Sequence, residues 1–144
     1  MLTTSPSGLP PSPADRRLTI GVDLVTTDRV ARLDRESPGA LATVFTAVEL
    51  AYCAGRRRRH EHLAARFAAK EAVLKALGRG LSRGLDWSEV EVVATASGRP
   101  EIRLHGNARA WAESQGVTEV EISLSHSGGL AIATAMVVFA QPPA

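Results

Sequence analysis

Residues 61–77 read EHLAARFAAKEAVLKAL, and Gly78 follows. Placed on a wheel at about 100° per residue, Leu63, Phe67, Leu74 and Leu77 form one apolar stripe. Ala64, Ala65, Ala68, Ala69, Ala72 and Ala76 cover most of the opposite side. A helix that is apolar nearly all round is a buried helix, and Gly78 is its C-terminal stop. The small alanine face predicts close approach by another backbone. Beyond Glu61 at its start, four charged residues nevertheless sit on it, in two narrow rows: Arg66 with Lys70, and Glu71 with Lys75. A surface Glu71–Lys75 pair at i,i+4 would account for the second row, but it needs a solvated face that this helix barely has. Charges in a buried helix must be paired or ligated.

Outward from this helix the chain reads as α+β. Leu18–Val25 (LTIGVDLV) predicts a buried strand, and Thr26–Arg35 a short helix with Val30 and Leu33 inward. Pro38 and Gly39 break the chain. Thr46 and Glu49 fit a capping box for a helix ending near Gly55, followed by the basic connector Arg56–Arg59. Downstream, Gly80, Ser82 and Gly84 mark a loop. Glu89–Thr95 and Glu101–Leu104 pair through the Ser97-Gly98 turn, and Asn107–Gln115 is a helix closed by Gly116. Glu119–Ser125 alternates, with Val120, Ile122 and Leu124 inward, and Gly128-Gly129 leads into a last strand, Leu130–Phe139. The expected order is β-α-α-α-β-β-α-β-β, a small, mostly antiparallel sheet packed on a long buried helix. Residues 1–17 read as a flexible Pro/Ser-rich leader, 18–140 as the folded domain and 141–144 as a tail.

Charge and composition narrow the function. Residues 1–84 hold 14 basic and 8 acidic side chains, and residues 85–144 hold 3 and 7. Of the 17 basic residues only Lys70 and Lys75 are lysines, and both fall on the central helix. A single cysteine, Cys53, excludes an internal disulfide framework and a multi-cysteine zinc site, and reads as a small core residue. Aromatics at 4% argue against a nucleic-acid surface. The longest apolar-rich run, Leu130–Ala140, is too short to span a bilayer, and the N-terminus has no secretory pattern, so the expected compartment is the cytoplasm. His60 and His62 read as helix-start residues, Trp87 and Trp111 as packing residues, and His105 is given no role. Arg56–Arg59 has three readings, as a contact to a nucleotide or partner protein, a nucleic-acid contact, or a solvated loop.

Three features together suggest phosphate chemistry. Asp23 is a carboxylate near the end of an apolar strand, where it either caps the next helix or joins Glu71 around a cation. Magnesium takes one or two protein carboxylates and completes its shell with waters and substrate phosphates. Lys75 and Arg66 would then contact phosphate oxygens. The segment Ser123–Gly129 (SLSHSGG) leaves a strand into a glycine pair, with hydroxyl and imidazole groups able to meet a phosphate.

The strings GVDLVTTDRV, FTAVEL, ARFAAKEAVLKALG and ISLSHSGGLAIATAMV, in this order and spacing, resemble the short 4′-phosphopantetheinyl transferases of the holo-acyl-carrier-protein synthase type, over about residues 18–139. The resemblance implies a Mg²⁺-dependent transfer of 4′-phosphopantetheine from coenzyme A to a serine of an apo acyl carrier protein. 3′,5′-ADP leaves, and the reaction serves fatty-acid or polyketide biosynthesis. It implies Asp23 and Glu71 as metal ligands and Lys75 beside the pyrophosphate; these three are the expected catalytic set. It also implies Arg66, Ser125, His126 and Ser127 as coenzyme A contacts. Arg29 and Arg32 fall on the helix that docks an acidic carrier, and Arg35 is paired locally with acids. A homotrimer with sites between subunits follows as well. Two candidates take the serine proton, a metal-bound water or Glu71 acting through water. Two departures stand out: Ser127-Gly128 where many members carry an acidic residue, and a longer leader. The rival reading is a non-catalytic module that binds coenzyme A or the carrier on the same fold.

Overall fold

The computed structural model describes residues 16–78 and 84–140. The expected leader (apart from Arg16 and Arg17), the tail and the Gly80–Ser82 loop lie outside the described residues. The elements run β1 Arg16–Thr26, α1 Thr27–Glu36, α2 Leu41–Val44, α3 Ala47–Ala54, α4 Arg59–Leu77, β2 Val90–Ala94, β3 Pro100–Leu104, α5 Gly106–Ser114, β4 Val117–Ser127 and β5 Leu130–Ala140. A 3-10 turn, Trp87–Glu89, precedes β2. This is the expected α+β order with one addition, the single-turn helix α2. β5 lies between β1 and β4 in an antiparallel sheet, and β2 and β3 form a separate two-stranded ribbon.

α4 is the axis of the core. Its alanine face and its large apolar stripe are both buried, and Gly78 closes it with φ of 76°. The close backbone approach that the alanines predict is made by Gly21 of β1. A Cβ at Gly21 would lie 1.9 Å from Ala72 O and 3.1 Å from Ala76 N, so only glycine admits this contact. Thr19 Oγ1 donates to Ala76 O at 2.6 Å on the same seam. The seam leaves Val22 and Asp23 beside the C-terminal half of α4.

β1 is not buried on both faces, as its continuous apolar run suggested. Gly21 and Val25 face α4, whereas Leu18, Ile20, Val22 and Leu24 are 53%, 70%, 51% and 57% exposed. The register sets Leu24 opposite Ile132 and Thr26 opposite Leu130, and both β5 residues are exposed. The outer face of the sheet therefore carries a continuous apolar stripe across β1 and β5. A strand period of two gives one face to the core and the other to whatever lies beyond it, and an all-apolar sequence hides that alternation.

Helix ends follow local chemistry. Thr46 Oγ1 accepts from Glu49 N, and Glu49 Oε1 accepts from Thr46 N at 2.8 Å, the capping box read from sequence. Thr26 caps α1 by accepting from Arg29 N, so the cap is Thr26 and not Asp23. That leaves Asp23 free of the structural role proposed as its alternative.

Candidate active site

Lys75 Nζ lies 3.0 Å from Asp23 Oδ1 and 3.0 Å from Val22 O. Glu71, one turn earlier on α4, does not pair with Lys75 across the surface. Its Oε1 instead accepts from the indole Nε1 of Trp87 at 2.5 Å. Asp23 and Lys75 thus meet where the end of β1 crosses α4, with Glu71 one helical turn before Lys75 on the same helix. The ammonium is 54% exposed on its side chain and has three protons, two of them engaged, so one remains for an outside acceptor. Each carboxylate accepts one of these bonds with one oxygen, and each has a second oxygen. Two hard oxygen ligands match what Mg²⁺ takes from a protein.

Arg66 lies five residues before Glu71, about 140° away around α4, and belongs to a different place. The residue is 5% exposed, its guanidinium lies 4.1 Å over the Tyr52 ring, and its Nε is buried without a partner. An unpaired buried donor of a fixed cation is an opening for an anion. Around it is a cleft of about 480 Å³, lined also by His62, His126, Arg99 and Pro100. The Arg56 guanidinium stacks on Tyr52 at 3.8 Å. Burial, then the charges of Arg66 and Arg56, hold the His62 imidazole below its ordinary range.

His126 reaches the cleft because it alternates with its neighbours along β4, and its Nδ1 lies 3.4 Å from Glu61 Oε2. Ser125 and Ser127 face the other side of the sheet, opposite Ile132 and Leu130 in the register. They do not line the Arg66 cleft, so within one chain the structure separates them from His126. Gly128 and Gly129, both at positive φ, make the turn, and Gly129 O accepts from Thr27 N at 2.9 Å. That bond ties the turn to the start of α1.

A second groove, of about 450 Å³, runs beneath α1. Phe67, Trp87, Val30 and Leu33 line it, with Arg29 and Arg32 among its charged members. The Arg29 guanidinium lies 5.4 Å from the centre of the Phe67 ring, and Arg32 is 3.7 Å from Glu36 in an exposed pair. The acids flanking Arg35 serve other cations: Glu36 meets Arg32, while Asp34 bonds Arg59 and His60. The expected local pairing of Arg35 is therefore replaced by these. Arg59 and His60 accordingly hold the start of α4 against α1, and Arg58 lies 3.8 Å from Glu61.

Lys70 has no solvent exposure. It donates to Glu49 Oε1 at 2.7 Å, Trp87 O at 3.0 Å and Val90 O at 2.6 Å. Glu49 Oε2 accepts from Val92 N at 2.9 Å. Lys70 is thus the structural knot joining α3, α4 and β2, and burial pushes its pKa down against the raising effect of Glu49. Trp87, expected only to pack, does pack against Phe67 at 5.7 Å, and also bonds Glu71. No local spacing announces that bond, since Trp87 lies 16 residues beyond Glu71 outside α4. Cys53 is fully buried, as expected of a core residue. Among the described residues no helix is long and apolar enough to cross a membrane.

Comparison with known proteins adds an independent line. The model of the 4′-phosphopantetheinyl transferase superfamily matches residues 19–135. The holo-[acyl-carrier-protein] synthase of Moorella thermoacetica is 47% identical over 120 residues, covering 83% of this chain and 93% of that protein. Among solved structures, the apo-ACPS of Chronobacterium ammoiniagenes superposes with a TM-score of 0.78 at 33% identity, over 88% of this chain and 99% of that one. The ACPS–CoA complex of Chronobacterium ammoniagenes does so with a TM-score of 0.75 at 32% identity, over 85% and 98%.

Proposed function

The chain belongs to the 4′-phosphopantetheinyl transferase superfamily, and on that premise we propose how its residues divide the work of the reaction. It is an enzyme of the holo-acyl-carrier-protein synthase type, moving the 4′-phosphopantetheine group from coenzyme A to a serine hydroxyl of an apo acyl carrier protein. The observation that carries the assignment of roles is the bond between Lys75 and Asp23 where β1 crosses α4, one helical turn from Glu71.

Asp23 and Glu71 are the two carboxylates that would hold Mg²⁺. The ion, when bound, supplies charge neutralisation and orientation of the pyrophosphate oxygens. Lys75 would donate its remaining N–H to a pyrophosphate oxygen, and its retained positive charge would offset the charge on the leaving 3′,5′-ADP. Phosphoryl transfer asks for positioning and charge neutralisation rather than covalent help, and these side chains offer both. Arg66, His126 and His62 form the anion-accepting cleft for the nucleotide phosphates of coenzyme A. Arg29 and Arg32 meet the acidic carrier, whose apolar contacts enter the groove under α1.

A homotrimer with sites between subunits accounts for three features at once. The outer sheet face exposes an apolar stripe from Leu18 to Leu24 and from Leu130 to Ile132. The Arg66 cleft and the Asp23–Glu71 corner lie on different sides of α4 within one chain. Ser125 and Ser127 share the exposed face and so face a neighbour. Assembly would bring the cleft of one subunit to the metal corner of the next. The folded unit starts with β1 at Arg16, two residues before the expected boundary at 18, runs to 140 and works in the cytoplasm, with neither membrane nor nucleic acid as a partner.

The test is to mix the protein with coenzyme A, Mg²⁺ and an apo carrier and record a mass spectrum of the carrier. A phosphopantetheine mass gain is expected. No gain on any of several fatty-acid and polyketide carriers would defeat the assignment.

A further inference from the structure

We propose that Trp87 is a positioning residue for the Glu71 carboxylate, and that Lys70 fixes the backbone from which Trp87 acts; this rests on Glu71 being a metal ligand, as set out above. The indole Nε1–H donates to Glu71 Oε1 at 2.5 Å, which holds that oxygen and leaves Oε2 for the cation. A glutamate has three side-chain torsions, and a carboxylate with one oxygen pinned loses most of the freedom that would otherwise blur a ligand position.

The indole is itself held at both ends. Its ring packs against Phe67, one turn before Glu71 on the same helix. Its backbone carbonyl accepts from the buried Lys70 ammonium, which also bonds Val90 O and Glu49 Oε1. Asp86 and Glu89 cap the 3-10 turn reciprocally around it. Neighbours in sequence thus do different jobs: Lys70 anchors the turn, the turn carries the indole, and the indole returns to Glu71. This gives Lys70 a reason to be lysine. Three acceptors surround one compact ammonium, an arrangement that the planar fork of arginine does not match.

The test is Mn²⁺ binding to the full chain, with free Mn²⁺ read by electron paramagnetic resonance and no turnover involved. Trp87→Phe keeps a ring against Phe67 and removes the donor. Its Kd for Mn²⁺ should rise about tenfold with an unchanged circular dichroism spectrum. Unchanged affinity in Trp87→Phe, alongside lost binding in Glu71→Gln, overturns the positioning role and leaves Glu71 as a ligand. Unchanged affinity in both overturns the ligand assignment itself. Should Trp87→Phe fail to fold, the wild-type protein still decides. Mg²⁺ must shift its tryptophan emission, because the indole touches the carboxylate that takes the ion, and emission that stays constant to saturating Mg²⁺ overturns the proposal.

Discussion

Lys70 Nζ lies 2.7 Å from Glu49 Oε1, and both side chains are wholly buried. Glu49 spends its other contacts on Thr46 N and Val92 N, so one carboxylate caps α3, anchors β2 and neutralises α4. Removing the cation leaves a buried anion. Lys70→Met should lose about 3–5 kcal/mol in urea unfolding at fixed protein concentration. Adding Glu49→Gln to it should recover about 1–3 kcal/mol, because the pair is coupled. Strictly additive losses would show that the two charges do not support one another. Lys70→Arg should not restore wild-type stability, since the three acceptors suit a point donor.

Glu71→Gln keeps the shape of the side chain and an acceptor for the Trp87 indole, but loses the charge. Metal-dependent turnover should fall by about 100-fold or more while the melting temperature stays close to wild type. The mass-spectrometric transfer assay with excess Mg²⁺ measures the first and differential scanning calorimetry the second. Full activity in this variant would remove Glu71 from the ligand set.

Sites shared between subunits can be rebuilt from two broken ones. Arg66→Ala and Glu71→Gln should each be inactive alone. Co-expressed at equal levels, they should give mixed trimers with about a quarter of the wild-type activity, from sites that take Glu71 from one subunit and Arg66 from the next. Mixtures no more active than the separate variants would place both residues in a single-chain site.

His62 predicts a pH dependence for coenzyme A binding. Burial and the charges of Arg66 and Arg56 keep its folded pKa below the ordinary value of 6.5, so it is neutral in the free protein at neutral pH. A phosphate in the cleft favours the imidazolium and raises that pKa. The complex then holds more protons than the free protein, and affinity rises as pH falls. Tyr52, Arg66, Arg99 and His126 line the same cleft, with Arg56 stacked on Tyr52 and Glu61 beside His126, so the comparison is with His62→Gln, which leaves them in place. Between pH 8 and pH 6 the wild type should gain affinity relative to the variant in titration calorimetry. Parallel profiles would show that His62 takes up no proton on binding.

The central helix was legible because its information is local: the alanine face, the charged rows and the glycine stop all lie within 18 residues. Even the close approach of another backbone could be read from it, although its partner, Gly21, could not. Three other features escaped for physical reasons. The partner of Lys70 lies 21 residues upstream, in a capping box whose local bonds by themselves account for Glu49. The bond from Trp87 to Glu71 crosses from a 3-10 turn back to α4, which no helical or strand period encodes. The outer stripe of β1 reads as core because apolar residues on an exposed face and apolar residues facing the interior look alike along one chain. The opposed directions of His126 and the serines beside it follow from strand alternation, and the motif alone had grouped them.

The seam at Gly21 has a mechanical consequence. Where strand and helix touch through side chains, their separation follows rotamers and can breathe with them. Here the touching surfaces are a glycine and a carbonyl oxygen, neither with a torsion of its own to adjust. Asp23 is mounted two residues beyond that contact and Glu71 one residue before Ala72, so the two carboxylates are referenced to a single hard stop. The spacing of these two carboxylates is thereby set like a gauge block rather than a spring.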